Sequence, residues 1–324
     1  MTASQTDPAS APRAQEPPFF LVGSERSGTT LLRLMLSHHP RIECAPEFEF
    51  LVDALPESGW PDLAGYADYL ATNRIFVPHE LTVDVGLGYQ ELAASFVRQY
   101  CERSGKPVHG ATCHHHFERL PRVFPDARFV HLVRDGRDVA RSCIGMGWAA
   151  NVWFGAERWL DALDSWQRLR AQLEPDRFCE VRYEDLIREP EQELDRVAGF
   201  LGEGFDPAMF GYVDGTTYDL PDPKLIEQWR RKLSQDELGL LEARIGRQLR
   251  SYDYPESGVP ATAVGAARQA RLTLDNRLGL FRRNRAKYGI PLMLKGRLAR
   301  GLGLKGLQRS VQLERNAIDN AHIR

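Results

Sequence analysis

The sequence predicts an α/β protein in which a central parallel sheet is flanked by helices, and three observations carry that expectation. Short apolar runs end in glycine or charged turns. Each such junction passes at once into a pattern of helical period, and strand and helix signals alternate along the chain instead of segregating. With 324 residues, 43% hydrophobic and 27% charged, the chain has ample material for one large domain or two small ones.

Residues 1–17, rich in Pro, Ala, Ser and Gln, read as a disordered leader. They hold no apolar core of a secretory signal, and no apolar run approaches a bilayer span, so a cytoplasmic protein is expected. Five cysteines (Cys44, Cys101, Cys113, Cys143 and Cys179) are odd in number and form no C-x-x-C pair. That usage fits a reducing compartment, not a disulfide framework. A net charge of −2 excludes the global basic field of a nucleic-acid-binding protein.

The first strand is PFFLVG, and Leu31, Leu32, Met35 and Leu36 recur at helical spacing after it. KPVHG, around residue 108, is one further strand candidate. Between them, residues 56–106 are rich in Tyr, Trp and Phe and read either as a wall for an acceptor molecule or as an ordinary helical insertion. Phe129 to Val133 form the next strand, turned by Asp135-Gly136 into a helix. A helix with Trp159, Leu163, Trp166, Leu169 and Leu173 on one face precedes the strand RFCEVRY. Later helices carry Leu194, Val197 and Leu201, then Leu238, Leu241, Ile245 and Leu249, the last opened by a Ser234-x-x-Glu237 capping box. Residues 18–258 thus make the α/β domain, and 259–324 a basic, amphipathic, helical tail.

The chemistry begins at GSERSGTT, residues 23–30. Gly23 and Gly28 let the backbone curl so that successive N–H groups face an anion, to which the following helix adds its dipole. Ser27, Thr29 and Thr30 add hydroxyl donors, and Arg26 a planar fork. Thr29 stands where a nucleotide kinase would carry lysine. Asp135 is the one carboxylate near a strand end that a Mg²⁺ site could use. The loop therefore suits a single tetrahedral anion. In RDGRDVARS, Arg134 sits at a strand end and Ser142 about two turns along the helix, a pair suited to a second phosphate.

GSERSGTTLLRLML resembles the 5′-phosphosulfate loop of sulfotransferases that use 3′-phosphoadenosine 5′-phosphosulfate (PAPS), and FVHLVRDGRDVARS resembles their 3′-phosphate segment. The likeness runs from about Phe19 to Pro255 and is greater to the bacterial and tyrosylprotein branches than to the small-phenol branch. It implies the P-loop, nucleoside-kinase-like sulfotransferase fold, PAPS as donor, no metal, and transfer to a hydroxyl or less readily an amine. It further implies that Arg26, Ser27, Gly28, Thr29 and Thr30 hold the 5′-phosphosulfate and that Arg134 and Ser142 hold the 3′-phosphate. Tyr183 matches the strand-end tyrosine near the nucleotide. Arg230, Arg231 and Lys232 match a segment that often adds a basic contact, although a solvated charge run is the simpler reading. A small-molecule kinase and an inactive nucleotide-binding scaffold are the alternatives.

Glu47 lies at the spacing from the loop arginine at which the tyrosylprotein branch carries its base, so the resemblance makes Glu47 the base and Arg26 the group that steadies the leaving phosphate. Many relatives carry a lysine that reaches the sulfonate where this chain has Thr112. His114, His115 and His116 stand close by, and a histidine is the base of the small-phenol branch, so His114 is a second catalytic candidate. Cys113 with three histidines raises a metal site, but consecutive residues cannot all face one tetrahedral ion.

From Arg268 to Arg309 there are 12 Lys/Arg against one acid, interleaved with leucines. That composition fits an anionic membrane surface, a helix docked on the acidic remainder, or a contact between two copies in a homodimer.

Overall fold

The computed structural model describes residues 17–322; the expected leader, up to residue 16, lies outside the described residues. Five strands form one parallel sheet: β1 (Phe19–Val22), β2 (Ile42–Glu47), β3 (Val108–Cys113), β4 (Arg128–Val133) and β5 (Phe178–Arg182), in the order β2-β3-β1-β4-β5. β1 is central and buried along its whole length. Phe20 and Val22 pack into one core layer and Phe19 and Leu21 into the other, as a period of two requires. Each such fully buried side chain contributes roughly 1.5–3 kcal/mol of transfer free energy.

The helices that matter here are α1 (Thr29–His38), α2 (Leu63–Leu70), α3 (Tyr89–Ser104), α4 (Gly136–Gly145), α5 (Glu157–Arg170), α6 (Pro190–Phe200), α7 (Gln235–Ser251), α8 (Ala266–Gly301) and α9 (Lys305–His322). Ser234 and Glu237 close the capping box of α7 reciprocally. α5 stops at Arg170, so Leu173 packs from the loop beyond it.

β2 has no counterpart among the expected strands. It reads IECAPE, and its Pro46 sits beside a register shift between Ala45 and Glu47. An edge strand tolerates a proline because one side of it needs no ladder partner. The KPVHG candidate is the start of the longer β3.

Residues 56–106 form α2 and α3, and their aromatics pack inward. Tyr66, Phe76, Tyr89 and Phe96 join Phe48 and Phe50 in one buried cluster. Ring pairs such as Phe48–Phe50 at 4.7 Å and Phe76–Phe96 at 5.2 Å hold it. The helical-insertion reading is the one the packing supports.

Chain order steps from β1 outward to β2 and β3 on one side, then to β4 and β5 on the other. The carboxyl ends of β1, β3 and β4 therefore meet at a topological switch point, where open α/β sheets hold their ligands.

Candidate active site

The loop after β1 is packed so closely that glycine is obligatory at two positions. A Cβ on Gly23 would lie 2.3 Å from the Leu132 carbonyl oxygen of β4. Gly28, at φ 98°, is the N-cap of α1, and a Cβ there would lie 2.3 Å from the Tyr183 ring. Arg26 occupies the left-handed region at φ 69° without being glycine, a local strain of the kind found at binding sites. That conformation sends its guanidinium across the loop, where Nε donates to Ser142 Oγ at 2.9 Å. Ser27 is buried, and its hydroxyl has no partner among the described residues.

The second segment meets the first. Arg134, at the end of β4, donates through Nη1 to the Arg26 carbonyl at 3.3 Å and through Nη2 to the Leu225 carbonyl at 2.9 Å. Its guanidinium lies 4.4 Å from the centroid of the Tyr183 ring. Tyr183 is thus sandwiched between Gly28 and Arg134. A cavity of about 420 Å³ opens over this junction, lined by Arg26, Thr29, Thr30, Arg134, Ser142 and Tyr183 among others. Arg141 adds a third guanidinium, and Tyr218 and Asp219 close the far side.

Asp135 has a structural task. Its carboxylate takes Nε and Nη2 of the fully buried Arg137 at 3.0 and 2.7 Å, and Arg137 also reaches Glu242 and stacks 3.7 Å from Trp229. Asp138 is a residue that sequence reading missed. It accepts from the backbone N–H of Trp229 at 2.7 Å and of Gln228 at 3.2 Å, while Arg134 stands 3.5 Å away. Burial pushes its carboxyl above the ordinary value, against the pull of Arg134. Asp138 therefore ties the 228–232 segment to the Arg134–Ser142 helix. Within that segment Lys232 lines a shallow extension of the site beside Arg141 and Ser142, whereas Arg230 pairs with Glu227 and Arg231 bonds the Lys224 carbonyl.

Glu47 lies at the exposed carboxyl end of β2, in register with Thr112 of β3. Its carboxylate makes no hydrogen bond or ion pair among the described residues; only its backbone carbonyl is used, by His79 at 3.3 Å. Thr112 is buried and bonds the Ala45 carbonyl, so it faces the sheet and not the loop. The three histidines diverge. His115 bonds Asp53 at 2.8 Å, and His116, at φ 52°, stands 3.9 Å from Glu118.

His114 is buried between two partners. Its Nδ1 and backbone N–H meet Glu49 Oε1 at 2.7 and 3.0 Å, and its Nε2 meets Thr29 Oγ1 at 3.0 Å. Burial pulls the imidazole pKa down, but the Glu49 hydrogen bond and the charges of Glu49, Glu25 and Glu47 overcome it and hold the pKa above 6.5. A carboxylate–imidazole–hydroxyl chain thus runs into the anion loop. Glu49 is the second member that sequence reading missed, since 65 residues separate it from His114.

A second cavity, about 580 Å³, lies on the other side of this chain. His114, His115 and His116 line it with Glu25, Trp148 and Arg158. Arg158 contacts Glu25 and stacks 4.5 Å from the Trp148 ring. Neither of these two cavities is lined by residues 56–106, where an acceptor wall was one expectation; the second is walled by His114–His116 and residues of the segment 143–168. The His114–Thr29 bond spans the gap, because Thr29 lines the first cavity and His114 the second.

Fold and site together define an α/β protein with a phosphate-binding loop at the switch point of its sheet. The chain belongs to the sulfotransferase family, whose model matches residues 17–207. It is 29% identical over 252 residues to the omega-hydroxy-beta-dihydromenaquinone-9 sulfotransferase of Mycobacterium bovis, a match covering 58% of this chain and 63% of that protein. It is 28% identical over 204 residues to protein-tyrosine sulfotransferase 2 of Gallus gallus, covering 57% of this chain and 51% of that protein. Both matches thus reach less than two thirds of the relative's length. The sulfotransferase domain of the Synechococcus PCC 7002 olefin synthase shares the fold, with a TM-score of 0.54 and 22% identity over 75% of this chain and 98% of that domain.

Proposed function

We propose that the protein moves a sulfuryl group from PAPS to the hydroxyl of an acceptor, releasing adenosine 3′,5′-bisphosphate. One observation carries this reading: the His114–Thr29 bond joins a cation-lined cavity built from both phosphate-binding segments to a second cavity on the opposite side of the loop. A donor and an acceptor can meet there across a single hydroxyl. The unpartnered Ser27 hydroxyl and the guanidinium groups of Arg26, Arg134 and Arg141 fit an adenosine phosphosulfate. PAPS would supply the sulfuryl group.

In this reading Arg26, the loop N–H groups, Ser27, Thr29 and Thr30 hold the 5′-phosphosulfate, and Arg134 and Ser142 hold the 3′-phosphate. Arg26 steadies charge on the leaving phosphate. Glu47 takes the acceptor proton, since its carboxylate is uncommitted while both nitrogens of His114 and one oxygen of Glu49 are engaged. The imidazolium form of His114, which the Glu49 hydrogen bond favours against burial, would supply through Thr29 the positive charge that a lysine at position 112 would otherwise bring. The kinase alternative loses its Mg²⁺ ligand, because both Asp135 oxygens are taken by Arg137. The acceptors named for the two relatives, an omega-hydroxy menaquinone and protein tyrosine, both offer a hydroxyl. Five buried thiols fit a reducing, cytoplasmic setting.

Calorimetry tests the donor assignment. Adenosine 3′,5′-bisphosphate should bind at least tenfold more tightly than ADP, because a charge-assisted phosphate contact is worth about 1.5–3 kcal/mol. Ser142→Ala should narrow that gap with little disturbance to the fold, and Arg134→Ala should nearly close it. Equal affinities in the unaltered protein, or Mg²⁺-dependent ATP binding, would favour a kinase.

A further inference from the structure

Away from the active site, α8 presents outward faces that carry a row of large apolar side chains where a surface helix is ordinarily polar. Its first half docks through one stripe. Asn276 accepts from the Ala150 N–H at 2.8 Å, Gly279 sits against Ala150, and Arg283 donates to the Ile144 carbonyl at 2.5 Å. On the opposite face Leu274, Leu278 and Phe281 recur at four- and three-residue spacing. Gly289, at φ 72° and ψ 159°, and Pro291 then break the helix. Beyond the kink the inner face is Leu292, Gly296 and Ala299, and the outer face carries Ile290, Leu294 and Leu298. All six outward residues are between 43% and 60% exposed. Around them stand Arg282, Arg285, Arg297 and Arg300, exposed and without an acidic partner among the described residues.

We propose that this outer surface of α8 seats the protein on an anionic lipid bilayer, with the leucine and phenylalanine side chains entering the headgroup boundary and the arginines on lipid phosphates. Charge selects this occupant. Residues 259–324 carry 14 Lys/Arg and three acids, a net +11, against −13 for the rest of the chain. An anionic surface attracts the tail face and repels the remainder, which orients the molecule as well as holding it. A second copy meeting face to face would set arginine against arginine. Residues 279–283 pack on the 144–150 segment, whose Trp148 and Ala149 line the second cavity, so docking would leave α8 between that segment and the lipid, a helix diameter of about 10–12 Å.

The test uses the full chain and vesicles of phosphatidylcholine, either alone or with about a third phosphatidylglycerol. The protein should sediment with the anionic vesicles and not with the neutral ones. Binding should weaken as salt shortens the Debye length from about 10 Å at 0.1 M. The pair Leu278→Glu and Leu294→Glu should lower the bound fraction about tenfold, and Arg282→Glu with Arg285→Glu should do the same. All four positions are exposed, so adenosine 3′,5′-bisphosphate affinity should stay unchanged in both variants, which separates loss of docking from loss of the nucleotide site. The proposal is overturned if the unaltered protein stays in the supernatant, if either variant binds as the parent does, or if the leucine variant converts a dimer into a monomer.

Discussion

At the scale of single residues, the informative contrast is between Glu47, which lines neither cavity, and His114, which lines the second, two candidates for the proposed chemistry that differ in how they are held. Glu47 is open to solvent and uncommitted, whereas His114 has both nitrogens in use and a pKa raised above 6.5 by Glu49 after burial has lowered it. The two roles predict opposite pH limbs. If His114 acts as a cation through Thr29, transfer should decline as pH rises through its folded pKa, because the imidazolium is lost there. If it is the base, transfer should instead rise through that same range. Stability follows the first sign. A histidine raised in the folded state contributes stabilisation that is complete below its unfolded pKa and vanishes as pH climbs through the folded one. Glu47→Gln should leave adenosine 3′,5′-bisphosphate binding intact and cut transfer roughly 10²–10⁴-fold. His114→Asn should lower the rate less and remove the alkaline decline. A Glu47→Gln protein that keeps full rate, beside a dead His114→Asn protein, would transfer the base to histidine.

At the scale of elements, legibility followed local pattern. β1 and β4 were readable as mainly apolar runs and β5 as an alternating strand after a long amphipathic helix, and the two candidate phosphate-binding segments were readable because glycine, hydroxyl and arginine fall within a few residues. β2 was hidden by Pro46 and by Glu43 and Glu47, since an edge strand need not read as apolar. The Glu49–His114 pair was hidden for a different reason: it exists only once β2 and β3 lie in register. Asp138 looked like one more acid in a charged motif, while its task is to grip backbone 90 residues away. That grip makes a prediction for the segment 217–228, which contributes Thr217, Tyr218, Asp219, Leu225 and Gln228 to the first cavity. Lys224 within it is exposed, and the Leu225 carbonyl is held by Arg134. Trypsin should cut after Lys224 in the free protein, and adenosine 3′,5′-bisphosphate should slow the cut severalfold by engaging both sides of the segment. Asp138→Asn should speed cutting in the free protein. Cleavage that ignores the nucleotide would mean that the segment takes no part in binding.

At the scale of the whole molecule, the five thiols are placed as reporters of how the sheet body opens. Cys44, Cys113 and Cys179 lie in β2, β3 and β5, Cys101 in α3 and Cys143 in α4, and all five are buried. Burial pushes Cys44 and Cys101 up to about 12 and Cys143 up to about 11, and it raises Cys113 well above its ordinary value. Because the thiolate is the reactive form, a native thiol is protected twice, by exclusion of the reagent and by suppression of its ionisation. A disulfide reagent at mildly alkaline pH should therefore modify almost nothing in the folded protein and all five thiols in denaturant. The order of slow native labelling is informative too. Cys44, Cys113 and Cys143 are at most 1% exposed and sit where the sheet and site meet, so they should label together, at a rate set by global unfolding. Cys101 and Cys179, nearer the surface at 9% and 7%, should label earlier through local fluctuations. Adenosine 3′,5′-bisphosphate at about 100 times its dissociation constant should slow the first group about a hundredfold, since it binds only the folded state, and should change the second group little. If Cys143 labels with the second group, α4 opens independently of the sheet, and the Ser142 side of the first cavity is less firmly built than its hydrogen bonds indicate.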